Sequence, residues 1–297
     1  MRAVAPAQAR TRVPRSTVRL RKRLNLALRY LLLTGILIFA VFPFVWTLAI
    51  ALTDKTALGG QGIYDFPGSL LPDRFTLNNF VQVYQQFSLG KYIWNSAVIS
   101  GFTVLGTVAV SVLAAYPLAR FRFPLKGLLF SLIVATLVLP TETTFIVNML
   151  TLSKFHLVGT YAGVVIPTLA GAFGIFLMRQ AFLTVPHSLL EAARLDGASE
   201  WQTLWRVMVP LSLPSVATLA VFTLVTSWNS YFWPYIVLSS YNPDLVPLSV
   251  AVLKLRGQFN YDPFNIAAGN LFMMLPILLI FLFAQRYFMR ALEGAVK

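Results

Sequence analysis

Six long apolar runs are the feature that most limits how this 297-residue chain can fold. About 20 predominantly apolar residues are enough for a helix to cross the hydrocarbon core of a bilayer. Because a helix satisfies its own backbone hydrogen bonds in lipid, the predicted fold class is an all-α membrane protein. The six predicted transmembrane helices are Tyr30–Leu52, Ile93–Leu113, Leu128–Met149, Tyr161–Met178, Val216–Leu238 and Ile266–Phe283.

Composition agrees with the membrane class and excludes several kinds of site. Charged residues make up 11% of the chain, whereas about a quarter of the residues in soluble proteins are charged. The chain has no cysteine, which excludes disulfides, thiol nucleophiles and cysteine-ligated metals. His156 and His187 lie far apart without a carboxylate cluster, so no metal site is predicted. The first apolar run exceeds the core of a cleaved signal peptide, which is about 7–15 residues long.

The basic residues are distributed unevenly, and their distribution predicts the topology. Nine of the 24 Lys and Arg residues fall within residues 1–29, which are predicted to form a basic cytoplasmic tail ahead of the transmembrane domain, 30–297. With six spans, 18 of the 24 lie on the side that holds both termini. Because basic residues accumulate in cytoplasmic loops, both termini are predicted to be cytoplasmic. The net charge of +14 thus predicts contact with a lipid bilayer and no nucleic acid.

One cytoplasmic loop, 186–210, is polar and helix-forming, and we call it the hairpin. Ser188 and Glu191 have the spacing of a capping box, which predicts the start of a helix. Gly197 follows where a helix would end, since glycine tolerates the left-handed conformation found there. Pro210 marks the far end of the second helix.

The second helix of the hairpin has an apolar stripe. Ser199 and Gln202 form another capping-box pattern directly after the glycine. Apolar residues then recur at spacings of three and four, which predicts an amphipathic helix. Such a hairpin suits either the membrane surface or a protein partner. The stripe consists of Trp201, Leu204, Trp205 and Met208.

The hairpin resembles the EAA motif of ATP-binding-cassette importer permeases. That motif has Glu-Ala-Ala, a glycine after three further residues, and a terminal hydrophobic–x–hydrophobic–Pro run. Val207 and Val209 stand where the usual form has isoleucine and leucine. The resemblance assigns a set of residues to ATPase coupling, namely Glu191, Ala192, Ala193, Asp196, Gly197, Ala198 and Pro210.

Further segments resemble the sugar-type permeases of this family, and together they cover residues 76–297. They are 113–124, "LAAYPLARFRFP", 227–234, "SWNSYFWP", and the tail 284–297. The resemblance implies the type I importer permease fold, with a core importer region at about 90–285. It also implies a carbohydrate as the solute. A non-sugar type I importer and a secondary transporter are the alternatives.

The resemblance also implies partners. In this family, two permease subunits form the pathway, two ATPase subunits supply the energy, and an extracytoplasmic solute-binding protein delivers the solute. No G-x-x-x-x-G-K-[ST] pattern occurs in the sequence, so this chain is expected neither to be an enzyme nor to bind a cofactor. ATP and Mg²⁺ are expected in the ATPase subunits. The expected location is a bacterial or archaeal cytoplasmic membrane.

The residues on the solute side are less distinctive. Aromatic and amide side chains in the outer loop, 239–265, suit a hydroxyl-rich sugar, but they also suit an ordinary interface loop. Glu142 is the one acid that hydropathy places at membrane depth, and we expect it to meet water because the third span ends near Pro140. The candidate residues for the pathway or for binding-protein contact are Asn229, Tyr241, Arg256, Gln258, Asn260 and Tyr261.

Overall fold

The structure is a computed structural model that describes residues 15–54, 70, 74–258 and 262–295. Apart from an isolated bridge between Thr53 and Phe75, these residues form helices and turns. The α-helices are α1 (Arg15–Leu52), α2 (Asn78–Gln86), α3 (Leu89–Arg120), α4 (Lys126–Ala135), α5 (Phe145–Lys154), α6 (Tyr161–Val165), α7 (Ala172–Thr184), α8 (His187–Leu195), α9 (Glu200–Thr203), α10 (Val209–Leu211), α11 (Leu213–Asn229), α12 (Phe232–Leu238), α13 (Leu248–Gln258) and α14 (Pro263–Ala295). Shorter 3₁₀ turns lie at Thr136–Val138, Thr141–Thr144, Ile166–Thr168 and Pro243–Leu245, and a π-helix lies at Leu204–Met208.

The chain divides into two compact units, Met1–Phe75 and Thr76–Lys297. The first unit contains α1, which is long and apolar enough to cross a membrane. After α1, the backbone N–H of Asp54 donates to the carbonyl of Arg74 at 3.2 Å. The second unit contains α2 to α14 and carries the hairpin.

Up to six spans can be assigned within the described residues, as the sequence predicts. Three helices qualify singly, and three bent helix pairs qualify if each pair crosses as one span. The single helices are Arg23–Leu52, Leu89–Arg120 and Pro263–Leu282. The pairs are Lys126–Val138 with Glu142–Lys154, bent by 98°, Tyr161–Thr168 with Ala172–Thr184, bent by 49°, and Glu200–Leu211 with Leu213–Asn229, bent by 79°.

The third predicted span is not a continuous helix. Leu139 has an extended backbone because Pro140 follows it, and a proline disfavours helical backbone at the preceding residue. A new helical turn then begins at Thr141, and Glu142 lies in it with an exposed side chain. Glu142 therefore lies beside the break that the proline makes, as the sequence indicates.

The fifth predicted span is also interrupted. α11 ends at Asn229, Ser230 is extended, and α12 begins at Phe232. Pro234 explains the break, because its ring nitrogen cannot donate to the carbonyl of Ser230, as a continuous helix would require. The prediction of one unbroken helix from Val216 to Leu238 is wrong in this respect.

α3 is the element around which the second unit is arranged. Its 32 residues give a length of about 48 Å at 1.5 Å per residue, more than the ~30 Å hydrocarbon core. Gly174 lets α7 pack tightly on it, since a Cβ there would collide with the hydroxyl of Ser111.

Two buried clusters lie at opposite ends of α3. We call the end of α3 near Arg120 the hairpin end. Its cluster consists of Val112, Ala115, Tyr116, Ala119, Met178, Phe182, Val185, Leu190, Leu204, Met208 and Leu219. We call the opposite end of α3 the loop end. Its cluster consists of Ile99, Leu152, Val164, Val165, Trp233, Val237, Leu238, Val246 and Val250.

Candidate functional site

The predicted hairpin is present, and Gly197 makes its turn. This glycine follows α8 with a φ of +78°. Its N–H donates to the carbonyl of Arg194 at 3.1 Å, and the N–H of Ala198 donates to the carbonyl of Ala193 at 2.9 Å. These two hydrogen bonds define a Schellman motif, which satisfies carbonyls at the end of a helix. The predicted glycine turn is confirmed, and Ala193 and Ala198 are structural parts of it.

The capping box predicted for the first helix is wrong. α8 begins at His187, directly after Pro186, and no side chain caps it. Pro186 already has the extended backbone of an N-cap residue, so Ser188 falls one residue inside the helix. The carboxylate of Glu191 is therefore not part of a cap. It is exposed and makes no hydrogen bond or ion pair within the described part of the chain.

The second capping box is confirmed. The side-chain hydroxyl of Ser199 accepts from the N–H of Gln202 at 3.3 Å, and the amide oxygen of Gln202 accepts from the N–H of Ser199 at 2.9 Å. The helix continues through the π-helical turn at Leu204–Met208 and ends at Leu211. Pro210 therefore lies one residue before the helix ends. In an α-helix the ring of Pro210 would clash with the carbonyl of the residue four positions before it, and the wider π-helical turn accommodates the ring.

The predicted apolar stripe is divided between two environments. Leu204 and Met208 are buried in the cluster at the hairpin end of α3. Trp201 and Trp205 are 61% and 39% exposed and pack edge to face, with ring centroids 5.7 Å apart. The π-helical turn shifts the register, so the four residues do not share one buried face.

One side of α8 is packed and the other is open. Leu190 is buried in the cluster at the hairpin end of α3. On the open side Leu195 is 89% exposed, although it is a large apolar residue. Sequence reasoning missed Leu195, although its position four residues after Glu191 places the two side by side on a helix. We call the exposed residues of this side the docking face: Glu191, Ala192, Leu195 and Asp196.

Polar contacts attach the hairpin to α3, and sequence reasoning missed them as well. The carboxylate of Glu200 accepts from the hydroxyl of Tyr116 at 2.5 Å and from the guanidinium of Arg194 at 2.9 Å. We call these three residues the clamp. Arg194 and Glu200 flank the glycine turn with opposite charges, which is a signal in the sequence. The hydroxyl of Tyr116 comes from 84 residues away, and only the tertiary structure brings it there.

A second contact at the same end of α3 attaches α7. The guanidinium of Arg120 donates to the carbonyls of Phe182 and Val185, which close the C-terminus of α7. It also lies 3.3 Å from the imidazole Nε2 of His187, the first residue of α8. The last turn of α3 therefore contacts α7, α8 and α9 through Arg120 and the clamp.

Comparable polar contacts attach the loop end of α3 to the turn after α12. The side-chain amide of Asn95 donates to the carbonyls of Asp244 and Val246 at 2.8 and 2.9 Å, and its oxygen accepts from the hydroxyl of Tyr161 at 2.6 Å. Lys91 and Asp244 form an ion pair at 2.7 Å. These contacts hold the turn after α12, where Tyr241 is exposed.

The six candidate residues for solute or binding-protein contact are not brought into one described site. Asn229 is the last residue of α11, and its side-chain amide donates to the carbonyl of Val225 at 2.9 Å. Arg256 and Gln258 lie in the last turns of α13, with side chains outside the described part of the chain, and Asn260 and Tyr261 lie outside the described residues. No group of three or more His, Asp or Glu residues suited to a metal occurs within the described residues.

Comparison with known families identifies this architecture. The family described as "Binding-protein-dependent transport system inner membrane component" matches residues 107–294, which include the hairpin and most of α14. The chain belongs to this family. It is therefore a membrane permease component of a transporter whose ATP hydrolysis takes place in a separate subunit, and the secondary-transporter alternative is wrong.

Curated relatives cover nearly the full length of the chain. The sn-glycerol-3-phosphate transport system permease protein UgpE of Pectobacterium atrosepticum is 31% identical, over 93% of this chain and 99% of that protein. The arabinooligosaccharides transport system permease protein AraQ of Halalkalibacterium halodurans is 31% identical, over 94% of this chain and 100% of that protein. The chain is thus similar to permeases throughout its length.

Solved structures show the same fold. A chain of a bacterial ABC transporter involved in the import of the acidic polysaccharide alginate matches with a TM-score of 0.78 and 22% identity, over 96% of this chain and 100% of that one. A chain of the bacterial alginate ABC transporter in complex with its alginate pentasaccharide-bound periplasmic protein matches with a TM-score of 0.60 and 18% identity. The predicted type I importer permease fold is therefore confirmed. The side on which the termini lie stays a prediction.

Proposed function

We propose that this chain is one of two permease subunits of an ATP-driven importer for a carbohydrate or sugar derivative, in a bacterial or archaeal cytoplasmic membrane. The solute class is supported by the relatives, one named for sn-glycerol-3-phosphate and one for arabinooligosaccharides, both rich in oxygen. A solute-binding protein would deliver the solute, and a pair of ATPase subunits using ATP and Mg²⁺ would drive its passage. In this proposal the basic tail, 1–29, lies in the cytoplasm and residues 30–297 form the permease domain.

The observation that carries the proposal is the docking face on α8. Leu195 projects almost fully into solvent next to Ala192, whose small side chain lets a partner approach the helix backbone. An exposed apolar side chain of this size stabilises association when a partner covers it, because its surface is then removed from water. Glu191 has a free carboxylate that can pair with a basic residue of the ATPase.

The remaining residues of the motif would set the orientation of the docking face. Gly197 and Ala198 close the Schellman turn, and Asp196 adds a carboxylate at its exposed edge. Ala193 packs half-buried beneath the face, and Pro210 lies near the end of the second helix. Closure of the ATPase pair would then displace the hairpin as a rigid body and switch the permease between two states.

Contact with the solute-binding protein is proposed for the opposite end of the molecule. Tyr241 is exposed there on a turn that Asn95 and Lys91 attach to α3. The proposed contact residues also include the sequence candidates Arg256, Gln258, Asn260 and Tyr261, and Asn229 is the proposed polar residue of the pathway. Glu142 is proposed to meet water beside the break at Pro140.

The first experiment tests the docking face. Leu195→Glu and Glu191→Ala are co-expressed separately with the partner permease and the ATPase, and the ATPase that copurifies with the permease pair is quantified. Because Leu195 is exposed, its replacement removes no buried packing. We expect Leu195→Glu to weaken association by about 2 kcal/mol, or roughly 30-fold, and Glu191→Ala to weaken it by less.

Leu125→Glu is the matched control, because Leu125 is 74% exposed and follows the same end of α3 without belonging to the docking face. It should leave ATPase recovery unchanged. Equal recovery of ATPase with Leu195→Glu, Glu191→Ala and the control would contradict the docking proposal.

A further inference from the structure

We propose that Tyr116, Glu200 and Arg194 are positioning residues that make the hairpin and α3 move as one body during transport. This inference rests on the proposed docking function of α8, and it concerns a different set of residues. None of the three belongs to the docking face or was singled out by the sequence motif. Their role would be to transmit force after docking, so their loss should leave docking itself intact.

The position of Glu200 in the chain makes it the centre of the clamp. It lies in the first turn of α9, where a carboxylate is favoured by the free N–H groups and the dipole of the helix. One oxygen of its carboxylate accepts from Tyr116 on α3 and the other from Arg194 on α8. A single side chain thereby connects both hairpin helices to the spanning helix.

The contact between Tyr116 and Glu200 is built to be rigid. The ring of Tyr116 is buried and packs edge to face against Phe121 and Phe182, with centroids 5.3 and 6.3 Å away, which fixes the direction of its hydroxyl. Hydrogen bonds to an ionised carboxylate are shorter and stronger than those between neutral groups. Loss of Glu200 would remove the acceptor of the Tyr116 hydroxyl, while the ring would stay buried.

The chain itself gives a looser connection than the clamp does. Towards α7, the hairpin continues through the extended residues Val185 and Pro186, of which Val185 is held by Arg120 and Pro186 is exposed. Towards α11, it continues through a bend of 79°. Short extended segments and sharp bends absorb changes in backbone angle, as hinges do. The apolar contacts of Leu190, Leu204 and Met208 hold the hairpin near α3, while the directional hydrogen bonds of the clamp fix its angle.

The test uses the complete transporter, with partner permease, ATPase and binding protein, in liposomes. Radiolabelled sn-glycerol-3-phosphate and a radiolabelled arabinooligosaccharide, the solutes for which the relatives are named, are the transport probes. Tyr116→Phe removes one hydroxyl and keeps the buried ring, and Glu200→Gln keeps the shape of the side chain and removes its charge. We expect both variants to retain full ATPase recovery while the number of solute molecules transported per ATP falls about three- to tenfold. The double variant should be less impaired than the sum of the two single variants, because both weaken the contact between Tyr116 and Glu200. Tyr30→Phe is the control, since its hydroxyl is exposed on α1 and has no hydrogen-bond partner in the described part of the chain.

A spectroscopic readout separates positioning from a general loss of stability. The chain has no cysteine, so nitroxide labels can be placed at Arg122→Cys after α3 and Arg206→Cys on the hairpin without other changes to this chain. Both side chains are exposed. In the unmodified background we expect one narrow distance distribution, with and without trapped ATP. In Tyr116→Phe the distribution should broaden or divide when ATP is trapped.

The outcomes distinguish this inference from the docking proposal. Full ATPase recovery with fewer solute molecules per ATP and a broadened distance supports the clamp. Unchanged transport per ATP and an equally narrow distance in Tyr116→Phe would overturn the clamp and leave the docking proposal intact. If Tyr116→Phe or Glu200→Gln loses ATPase recovery, the residues act on docking and the inference is wrong.

Discussion

At the residue scale, one backbone angle explains why a glycine is required at the turn of the hairpin, Gly197. Its φ of +78° lies in the left-handed region, and nothing within 4 Å would obstruct a Cβ there. The glycine is therefore required by backbone strain and not by lack of space. A left-handed conformation costs about 1–2 kcal/mol for most residues that carry a Cβ, although asparagine tolerates it better.

Gly197→Ala should lower the free energy of unfolding by about 1 kcal/mol, and Gly197→Asn should lower it by less. Thermal unfolding of the detergent-purified transporter measures both. Gly127→Ala is the control, because this glycine lies inside α4 with open space around it. Alanine there should leave the melting temperature unchanged or raise it, and a similar loss in both variants would contradict the strain argument.

At the element scale, the loop end of α3 is held by the buried side chain of Asn95. Removing it would leave the carbonyls of Asp244 and Val246 and the hydroxyl of Tyr161 without these partners. Buried groups that lose their hydrogen bonds cost about 1–3 kcal/mol each. Asn95 therefore contributes three of the polar contacts that attach α3 at this end, beside the ion pair between Lys91 and Asp244.

Asn95→Ala should destabilise the purified transporter by about 3 kcal/mol and reduce stimulation of ATP hydrolysis by the binding protein, because the turn that carries Tyr241 loses its attachment. Asn78→Ala replaces an exposed asparagine on α2 and should change neither quantity. Melting temperature and stimulated ATPase activity check the two effects. An Asn95→Ala variant as stable as the control would show that the turn is held in another way.

At the scale of the whole molecule, the six-span topology predicts that the docking face and Tyr241 lie on opposite sides of the membrane. Between them the sequence predicts one span, Val216–Leu238, which the structure divides into α11 and α12. The excess of basic residues on the side of the hairpin predicts that this side is cytoplasmic. Leu195 and Tyr241 are 89% and 63% exposed, so both positions are open to labelling in the absence of partner proteins.

Leu195→Cys, expressed without the ATPase, should react with a membrane-impermeant maleimide only in inside-out vesicles, and Tyr241→Cys only in right-side-out spheroplasts. The unmodified chain is the blank, because it contains no cysteine. Labelling of both positions from one side would contradict the six-span topology.

Local features of the sequence determined much of this protein. The length of the apolar runs requires membrane-spanning helices, because backbone polar groups in lipid must be satisfied within the segment. The glycine between two helical patterns produced the Schellman turn, since its hydrogen bonds join residues at most five positions apart. Ser199 and Gln202 formed their cap for the same reason.

The tertiary structure decided which of two competing local signals prevailed and which residues that are distant in the sequence meet. Pro186 displaced the cap predicted at Ser188, and Pro234 divided the fifth span. The partner of Glu200 was fixed only when the fold brought Tyr116 beside it, because hydrophobic patterning determines which faces are buried and not which polar groups meet. The exposure of Leu195 likewise follows from packing, since α8 buries its other side against α3 and leaves this leucine for a partner.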